Sequence, residues 1–222
     1  MPKKKGSVLL PLPKEDILTD YRLAYASRQA SLIGRREVLS GKAKFGIFGD
    51  GKELANLAIA RAFRKGDWRS GYYRDQTWMF MLGVINIQQW FAQLYAHADL
   101  NAEPITGGRS MNGHYGSRYI NPDGSWRAQT EMYNVAADVS PTGTQMPRTV
   151  GLAYASVVYR NLVGATRQDS VATRDGNAPS RTKTTDGIDG SPLPQIENFS
   201  HNGDEIAWAS IGNASTAEGM FW

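Results

Sequence analysis

The stretch EIAWASIGNASTAEG, residues 205–219, predicts a buried strand that runs into a tight turn and the first turn of a helix. Ile206, Trp208 and Ile211 supply the apolar run of the strand. Gly212 then lets the backbone turn sharply and come close to a ligand. The stretch therefore places a turn that a ligand can approach directly after a buried strand.

The residues after this turn have the pattern of a helix start. Ser215 and Glu218 form an S-x-x-E capping box. The free N–H groups and the positive dipole end of such a helix start suit a diphosphate. Asn213 could offer its side-chain oxygen to a magnesium ion that bridges the diphosphate. On this stretch alone, an ordinary strand, turn and helix without a ligand is an equal alternative.

Composition and charge argue against several classes of protein. The 222 residues are 41% hydrophobic and contain no run long enough to span a membrane. The net charge of +4 includes Lys3, Lys4 and Lys5, which we interpret as a solvated terminus rather than a nucleic-acid arm. Cysteine is absent, which excludes disulfide and thiolate chemistry, and the N-terminus lacks the apolar core of a signal peptide. We expect a cytoplasmic protein that binds neither membrane nor nucleic acid.

Changes of composition divide the chain into four expected segments. Residues 1–13 form an extended basic arm, and residues 14–160 hold a helical arm and the first part of a larger domain. Between residues 161 and 204 the composition changes to Thr, Ser, Asp, Gly, Arg and Pro. This part is interpreted as a polar insertion or flap that could be disordered. Residues 205–222 hold the strand and the helix start.

Periodic apolar residues predict helices over residues 14–33, 52–65, 77–100 and 147–159, the third of them broken near Gly83. The predicted core positions are Ile17, Tyr21, Ala24, Tyr25 and Leu32 in the first helix, Leu54, Leu57, Ala58, Ala62 and Phe63 in the second, and Val150, Ala153, Tyr154, Val157 and Val158 in the last.

A glycine-rich segment at residues 46–52 matches the first part of a P-loop, G-x-x-x-x-G-K. A P-loop needs a serine or threonine hydroxyl for magnesium after the lysine. Glu53 stands there instead and would bring a negative charge toward the phosphates. We therefore interpret the segment as a loop that precedes a helix.

Two further segments carry side chains suited to a ligand. Tyr73 and Arg74 precede the apolar third helix, where Arg74 could present its planar fork to a phosphate or could be a surface charge. Residues 104–118 are rich in glycine and contain Arg109 and His114, which indicates a functional loop. A hydrogen-bonded surface histidine is the alternative.

Four blocks of sequence, taken together, resemble one protein family. They are YYRD at 72–75, GRSMNGHYG at 108–116, SPTGTQMP at 140–147 with the helix after it, and GNASTAEG at 212–219. They resemble the alpha-subunit portion of the thiamine-diphosphate-dependent first, decarboxylating component of 2-oxoacid dehydrogenase complexes, of the branched-chain (2-oxoisovalerate) type. The resemblance implies an α/β thiamine-diphosphate-binding fold, a parallel sheet flanked by helices, which is incomplete here and preceded by an N-terminal helical arm.

The resemblance also implies roles for individual residues. Arg109 and His114 lie in the loop that borders the active-site entrance, without an assigned catalytic step, and Asn213 is the implied ligand of Mg²⁺. The residues that the resemblance places against thiamine diphosphate are Tyr73, Arg74, Ser140, Thr142, Gly212, Ala214 and Ser215.

Two positions depart from the family pattern, which usually has Asp or Glu at Asn213 and Gly at Ala214. Asparagine still offers a neutral oxygen to magnesium, but the site loses one negative charge. The family's second magnesium ligand and its alpha-subunit histidine would lie beyond Trp222. The chain is therefore interpreted as part of a longer subunit or of a fused alpha–beta polypeptide.

The activity implied by the resemblance is oxidative decarboxylation of a 2-oxoacid. The implied partners are a beta subunit or fused beta portion and a lipoyl-bearing acyltransferase component, in an oligomer. A branched-chain substrate is favoured over pyruvate, because Arg109 and the HYG ending at residues 114–116 resemble that branch more. The alternatives are a non-catalytic or degenerate cofactor module kept for assembly, and an acetoin dehydrogenase-like thiamine enzyme.

Overall fold

The structure, a computed structural model, describes residues 12–172, 198–201 and 203–222. Most of the expected basic arm and residues 173–197 of the expected polar insertion lie outside the described residues. The helices and strands are α1 (Lys14–Leu39), α2 (Glu53–Ala62), β1 (Trp68–Ser70), α3 (Gln76–Met81), α4 (Ile87–Leu94), β2 (Asn134–Val135), α5 (Gln145–Ala172) and β3 (Ala207–Ala209). Short 3₁₀ helices occur at Tyr73–Asp75, Gln129–Glu131, Asn213–Ala217 and Gly219–Phe221.

The three strands form a parallel sheet in the order β2-β1-β3. Arg69 of the central strand is in register with Val135 on one side and Trp208 on the other. Helix α5 follows β2, packs on β1 and β3, and leads back toward the far edge of the sheet. Small though it is, this parallel sheet with its helices agrees with the predicted α/β class. Because the strands are parallel, the loops after their carboxyl ends meet at one edge.

An aromatic core joins the helices to the sheet. Trp78 and Trp90 are almost completely buried, and burying a large apolar side chain stabilises a fold by about 1.5–3 kcal/mol. Phe63 packs edge-on against Trp78 at 5.2 Å between ring centroids and against Trp208 at 6.2 Å. This contact ties the helical part to the edge strand β3.

None of the described helices is long and apolar enough to cross a lipid bilayer.

Helix α1 packs through a different face from the predicted one. Tyr21, Tyr25 and Leu32 are exposed, Tyr21 to 68%, whereas Ser27 and Ser31 are buried. The side-chain amide of Gln76 donates to the Ser27 hydroxyl at 2.9 Å and to the Ser31 hydroxyl at 3.1 Å. The apolar spacing was misleading, because small hydrogen-bonded residues let α1 approach α3 closely.

Helix α1 also continues past its predicted end, through Gly34 to Leu39. A Cβ atom at position 34 would lie 2.6 Å from Phe48 Cε1 and 3.0 Å from Trp90 Cη2. The glycine therefore makes room for two core rings instead of ending the helix.

The glycine-rich loop before α2 is closed by the chain's own carboxylate, as suits a loop that precedes a helix. Glu53 accepts hydrogen bonds from Arg28 at 2.6 and 2.8 Å and from the Gly51 N–H at 3.0 and 3.2 Å. Within α2, Leu57 and the following Phe63 are buried as predicted. The inward placement predicted for Leu54, Ala58 and Ala62 is wrong, because the buried face of α2 is formed by residues 53, 56, 57 and 60.

Replacing Glu53 with glutamine is expected to remove part of the acid sensitivity of the fold. Burial alone would raise the pKa of Glu53, but the hydrogen bonds from Arg28 and the Gly51 N–H lower it overall. A lowered folded-state pKa gives stability that is present above the ordinary carboxyl pKa, about 4.3, and is lost as the pH falls through the folded-state value. Urea unfolding should show Glu53→Gln less stable than the parent at pH 7 and the difference shrinking toward pH 3. Glu131→Gln, at an exposed carboxylate, is the control, and an equal pH dependence in both variants would contradict the prediction.

The third predicted helix is divided near Gly83, as expected. Helix α3 ends at Met81 and α4 begins at Ile87. The Asn86 side chain accepts from the Gln89 N–H at 2.8 Å, and the Asn86 N–H donates to the Gln89 side-chain oxygen at 3.0 Å, so a capping box starts α4.

Helix α5 departs from prediction in length and orientation. It continues beyond residue 160 to Ala172, into the segment interpreted as an insertion. The predicted core positions Val150 and Tyr154 are each 69% exposed, and Ala153, Val157 and Val158 are exposed too. The face turned inward carries Gln145 and Ser156, because polar contacts hold this helix to the sheet edge: the Ser70 hydroxyl donates to the Gln145 carbonyl at 3.1 Å.

Candidate functional site

A cavity of about 320 Å³ lies where the carboxyl ends of the strands meet. Its walls come from the segments after β1, after β2 and after β3, closed by the glycine-rich loop at 111–114 and by residues 45–47. The crevice outside the carboxyl ends of strands is the usual ligand position in open α/β sheets. The topology therefore singles out this cavity as the candidate functional site.

The cavity brings together most of the residues that the sequence indicated. Seven of the ten line it, although they are separated by up to 142 positions in the chain. They are Tyr73, His114, Ser140, Thr142, Gly212, Ala214 and Ser215.

His114 and Ser140 are joined across the cavity wall. The imidazole Nε2 lies 3.1 Å from the Ser140 hydroxyl, and Nδ1 lies 3.0 Å from the Met111 carbonyl oxygen. A carbonyl can only accept, so Nδ1 carries a proton, and Nε2 shares the second hydrogen bond with the Ser140 hydroxyl. The arrangement presents the Nε2 edge of the ring at the cavity.

The glycine-rich loop is held in place by two side chains. Gln93 donates to the His114 carbonyl at 2.7 Å and accepts from the Gly113 N–H at 2.8 Å. Asn112 makes a matching pair with the backbone of Ile47, at 3.0 and 2.8 Å. The loop is irregular, as predicted, yet fixed, so His114 has a defined position.

Three predicted residues lie outside this cavity. Arg74 donates from Nη1 to the Phe48 carbonyl at 2.8 Å and stacks over the Tyr73 ring, 4.9 Å from its centroid. Arg109 donates to the Thr106 carbonyl at 3.0 Å and lines a neighbouring cavity of about 330 Å³. Asn213 is exposed at the start of a 3₁₀ helix.

The predicted capping box at Ser215 is wrong. Gly212 is the N-cap of the 3₁₀ helix Asn213–Ala217, and the Ser215 N–H bonds to the Gly212 carbonyl at 3.0 Å. Glu218 lies after this helix in extended backbone and cannot reach back to its start. A five-residue 3₁₀ helix also lacks the dipole of a long α-helix, which weakens the predicted anion site.

Sequence reasoning missed a buried ionic group beside the cavity. Arg69, fully buried, donates to Asp75 at 2.7 and 2.9 Å and to both Asp138 oxygens at 3.1 Å. Two carboxylates raise the pKa of Arg69 against its burial, and burial raises the pKa of Asp138 despite Arg69. Asp138 itself lines the cavity and accepts from the Tyr115 N–H at 3.1 Å.

This buried ionic group connects all three strand ends. Arg69 belongs to β1, Asp138 follows β2, and Ser210, which follows β3, donates its hydroxyl to Asp75. Arg69 lies between Trp68 and Ser70 in a three-residue strand, a pattern that does not indicate burial, and its partner Asp138, 69 positions away, was not apparent from spacing. The group fixes the loops that form the cavity.

Comparison with known proteins assigns the chain to a family. The family model described as dehydrogenase E1 component matches residues 21–222, which include every segment of the cavity wall. The 2-oxoisovalerate dehydrogenase subunit alpha of Bacillus subtilis (strain 168) is 30% identical over 127 residues, 57% of this chain and 33% of that protein. The chain thus spans about a third of the length of this relative in the matched region. Since the family model covers far more than half of the sequence, the chain belongs to the dehydrogenase E1 component family.

Proposed function

We propose that this chain is the alpha-type portion of a 2-oxoacid dehydrogenase that uses thiamine diphosphate. The whole enzyme would decarboxylate a 2-oxoacid oxidatively and pass the acyl group to the lipoyl domain of an acyltransferase component, with a beta subunit or fused beta portion completing the site. The observation that carries the proposal is the meeting of seven indicated residues at one cavity of the sheet edge. Family membership and the similarity to a 2-oxoisovalerate dehydrogenase subunit support it.

The cavity fits the organic part of thiamine diphosphate. Phe45, Ile47, Met111 and Val139 offer apolar walls, and a few polar groups stand among them, the usual composition of cofactor pockets. Gly113 keeps one wall thin, because a Cβ there would lie 2.9 Å from Tyr73 Cβ. In this proposal Ser140, Thr142 and the backbone at Gly212–Ser215 hold the cofactor.

The described residues offer few ligands for Mg²⁺. Mg²⁺ takes about six oxygen ligands in nearly octahedral geometry, usually including one or two carboxylates. Among the described residues no group of three or more His, Cys, Asp or Glu side chains could hold a metal ion. Asn213 stays the one magnesium ligand that we propose in this chain, and no step is assigned to the metal.

The side chains of the cavity suit binding and proton handling. When bound, thiamine diphosphate supplies the nucleophilic carbon and electron sink that decarboxylation needs. In this proposal His114 Nε2, 3.1 Å from the Ser140 hydroxyl, is the ring nitrogen placed for proton transfer at the cavity. The buried ionic group keeps the strand ends in register.

Arg74 is proposed to bind the diphosphate, with Tyr73 beside it. Among the described residues the guanidinium is bonded at Nη1 alone, to Phe48, so further N–H donors are free for an anion. Its ring contact with Tyr73 limits the directions in which the fork can point.

Removing the Arg74 side chain tests the proposal. Arg74→Ala should weaken binding of thiamine diphosphate with Mg²⁺ by about tenfold to a hundredfold, the loss of one charge-assisted hydrogen bond or two. Calorimetric titration of the protein together with its beta partner measures this. Arg118→Ala is the matched control, since Arg118 is also partly exposed and also bonded to a backbone carbonyl, that of Pro104.

Each outcome separates the candidate functions. Equal affinity in Arg74→Ala and Arg118→Ala would remove Arg74 from the diphosphate site. A parent protein that folds but binds no cofactor would favour the degenerate module, for which Asn213 and Ala214 are the reason. Among binding enzymes, assays with an artificial electron acceptor on branched 2-oxoacids, pyruvate and acetoin distinguish the branched-chain type from the pyruvate and acetoin types.

A further inference from the structure

A second cavity, of about 220 Å³, shares no lining residue with the candidate site. It lies between α5, the strand β1 and the segments at 119–129 and 199–205. Five of its lining residues are aromatic and one is a carboxylate, namely Trp68, Tyr119, Trp126, Tyr159, Phe199 and Glu205.

The rings form walls in different orientations. Trp68 stacks on Tyr119 at 5.4 Å with 28° between the ring planes. Phe199 contacts Trp126 at 5.5 Å and 62°, and Tyr159 at 5.6 Å and 38°. Aromatic faces carry negative potential and attract a cation within about 6 Å of the ring centroid.

Glu205 adds a formal negative charge to this wall. Burial alone would raise its pKa, but hydrogen bonds from Ser156, Ser200 and the His201 N–H lower it, so the carboxylate is ionised at neutral pH. Ser156 donates to Oε1 at 2.6 Å and the His201 N–H to Oε2 at 3.1 Å. Among the described residues no lysine, arginine or histidine side chain forms an ion pair with Glu205, whose hydrogen bonds come from neutral groups.

We propose that this cavity binds a small organic ammonium ion, with the aromatic faces around the cation and Glu205 as its counter-charge. An anion would be repelled by the carboxylate, and a neutral apolar ligand would leave that charge unmatched. The volume is below the 300–1,000 Å³ or so of typical ligand pockets, which restricts the ligand to the size of choline or tetramethylammonium. Trp126, 52% exposed, borders the entrance from solvent.

The decisive probe compares choline with its neutral isostere, 3,3-dimethylbutan-1-ol, which has the same shape without the charge. Titration of the purified protein, followed by tryptophan fluorescence and by ligand NMR, should show saturable choline binding about tenfold tighter than that of the isostere. Equal affinities would mean that the cavity is merely apolar. No saturation with choline would mean that the aromatic residues only pack the fold, and either result overturns the proposal.

A pair of isosteric variants tests the role of the carboxylate. Glu205→Gln should lower choline affinity about tenfold while leaving the weak binding of the isostere unchanged. Asp204→Asn is the control, because Asp204 is adjacent, highly exposed and paired with Arg64. Trp126→Leu should weaken choline binding as well, and near-ultraviolet circular dichroism verifies that each variant folds. If Glu205→Gln binds choline with the same affinity as Asp204→Asn, Glu205 is not the counter-charge of the cation and the proposal fails.

Discussion

Arg69→Met is expected to destabilise the chain by about 3–5 kcal/mol, the range for breaking a buried ion pair by removing one partner. Arg69 has no exposed side-chain surface and sits between Asp75 and Asp138. Methionine would fill the space but leave the buried Asp75 without a cation and Asp138 with only Arg148, whose Nη2 lies 3.9 Å from Oδ1. The expected loss of stability is therefore much larger than the net stabilisation by the two ion pairs, because the cost of desolvating buried charges offsets much of their attraction.

Arg69→Met should also disturb the loops at the carboxyl ends of the strands. Arg69 also donates from Nη2 to the Tyr72 carbonyl at 3.0 Å, and Asp75 accepts from the Tyr72 N–H at 3.2 Å and from the Ser210 hydroxyl. Without the guanidinium, the loops after all three strands lose a common partner. Binding at the candidate site should fall together with stability.

Urea unfolding of Arg69→Met and of Arg61→Met measures the effect. Arg61 makes a bidentate ion pair with Asp20 at 2.8 Å on the surface, so its replacement should change stability little. Arg69→Lys provides a milder variant that keeps the charge and loses the planar fork. The double variant R69M/D75N should recover part of the lost stability, because the carboxylate that loses its cation is then neutral. An Arg69→Met protein as stable as Arg61→Met would show that the buried ionic group is not needed.

The positions of the helices and of β3 could be predicted from the sequence, but the buried faces of α1 and α5 could not, and neither could β1 and β2, which are only three and two residues long. Helix starts, the break near Gly83 and the strand at 207–209 depend on local signals, namely glycine, caps and apolar runs. The predicted burial of that strand is wrong, because β3 is the edge strand, with Ala209 exposed and the preceding Ile206 48% exposed. Which side of α1 or α5 faces inward depends on hydrogen bonds across the fold, such as those from Gln76 to Ser27. A sequence pattern that counts apolar residues assigns Tyr21 to the core and misses the serines.

The site residues were indicated by the family resemblance, and the structure supplies the reason why most of them meet. Tyr73, Ser140 and Ala214 converge because each lies shortly after a strand of one parallel sheet. Arg69 and Asp138 escaped prediction because a strand arginine has the appearance of a surface residue until its partners are located. Burial is what distinguishes the two cases, and burial depends on the assembled sheet.

Gly113→Ala is expected to have the largest effect on cofactor binding at the candidate site. Gly113 has φ of +78°, where a residue other than glycine costs about 1–2 kcal/mol. An added Cβ would also lie 2.9 Å from Tyr73 Cβ and 3.3 Å from Tyr73 Cα. Relieving this overlap requires the Tyr73 and His114 walls to move apart, at a further cost of about 1–3 kcal/mol. We expect an affinity loss of about a hundredfold for thiamine diphosphate, since both walls belong to the proposed binding site.

Gly124→Ala separates the backbone strain at positive φ from the steric overlap of the added Cβ. Gly124 has φ of +86°, but nothing lies within 4 Å of a Cβ added there, so this variant has the backbone strain without the overlap. Urea unfolding should therefore show Gly113→Ala less stable than Gly124→Ala by the cost of the overlap alone, and calorimetry should show unchanged cofactor affinity in Gly124→Ala. Equal stability of the two variants would contradict the close approach of residues 113 and 73. A destabilised Gly113→Ala that still bound the cofactor at full affinity would mean that the cofactor does not contact this wall, and the proposed site would have to lie elsewhere.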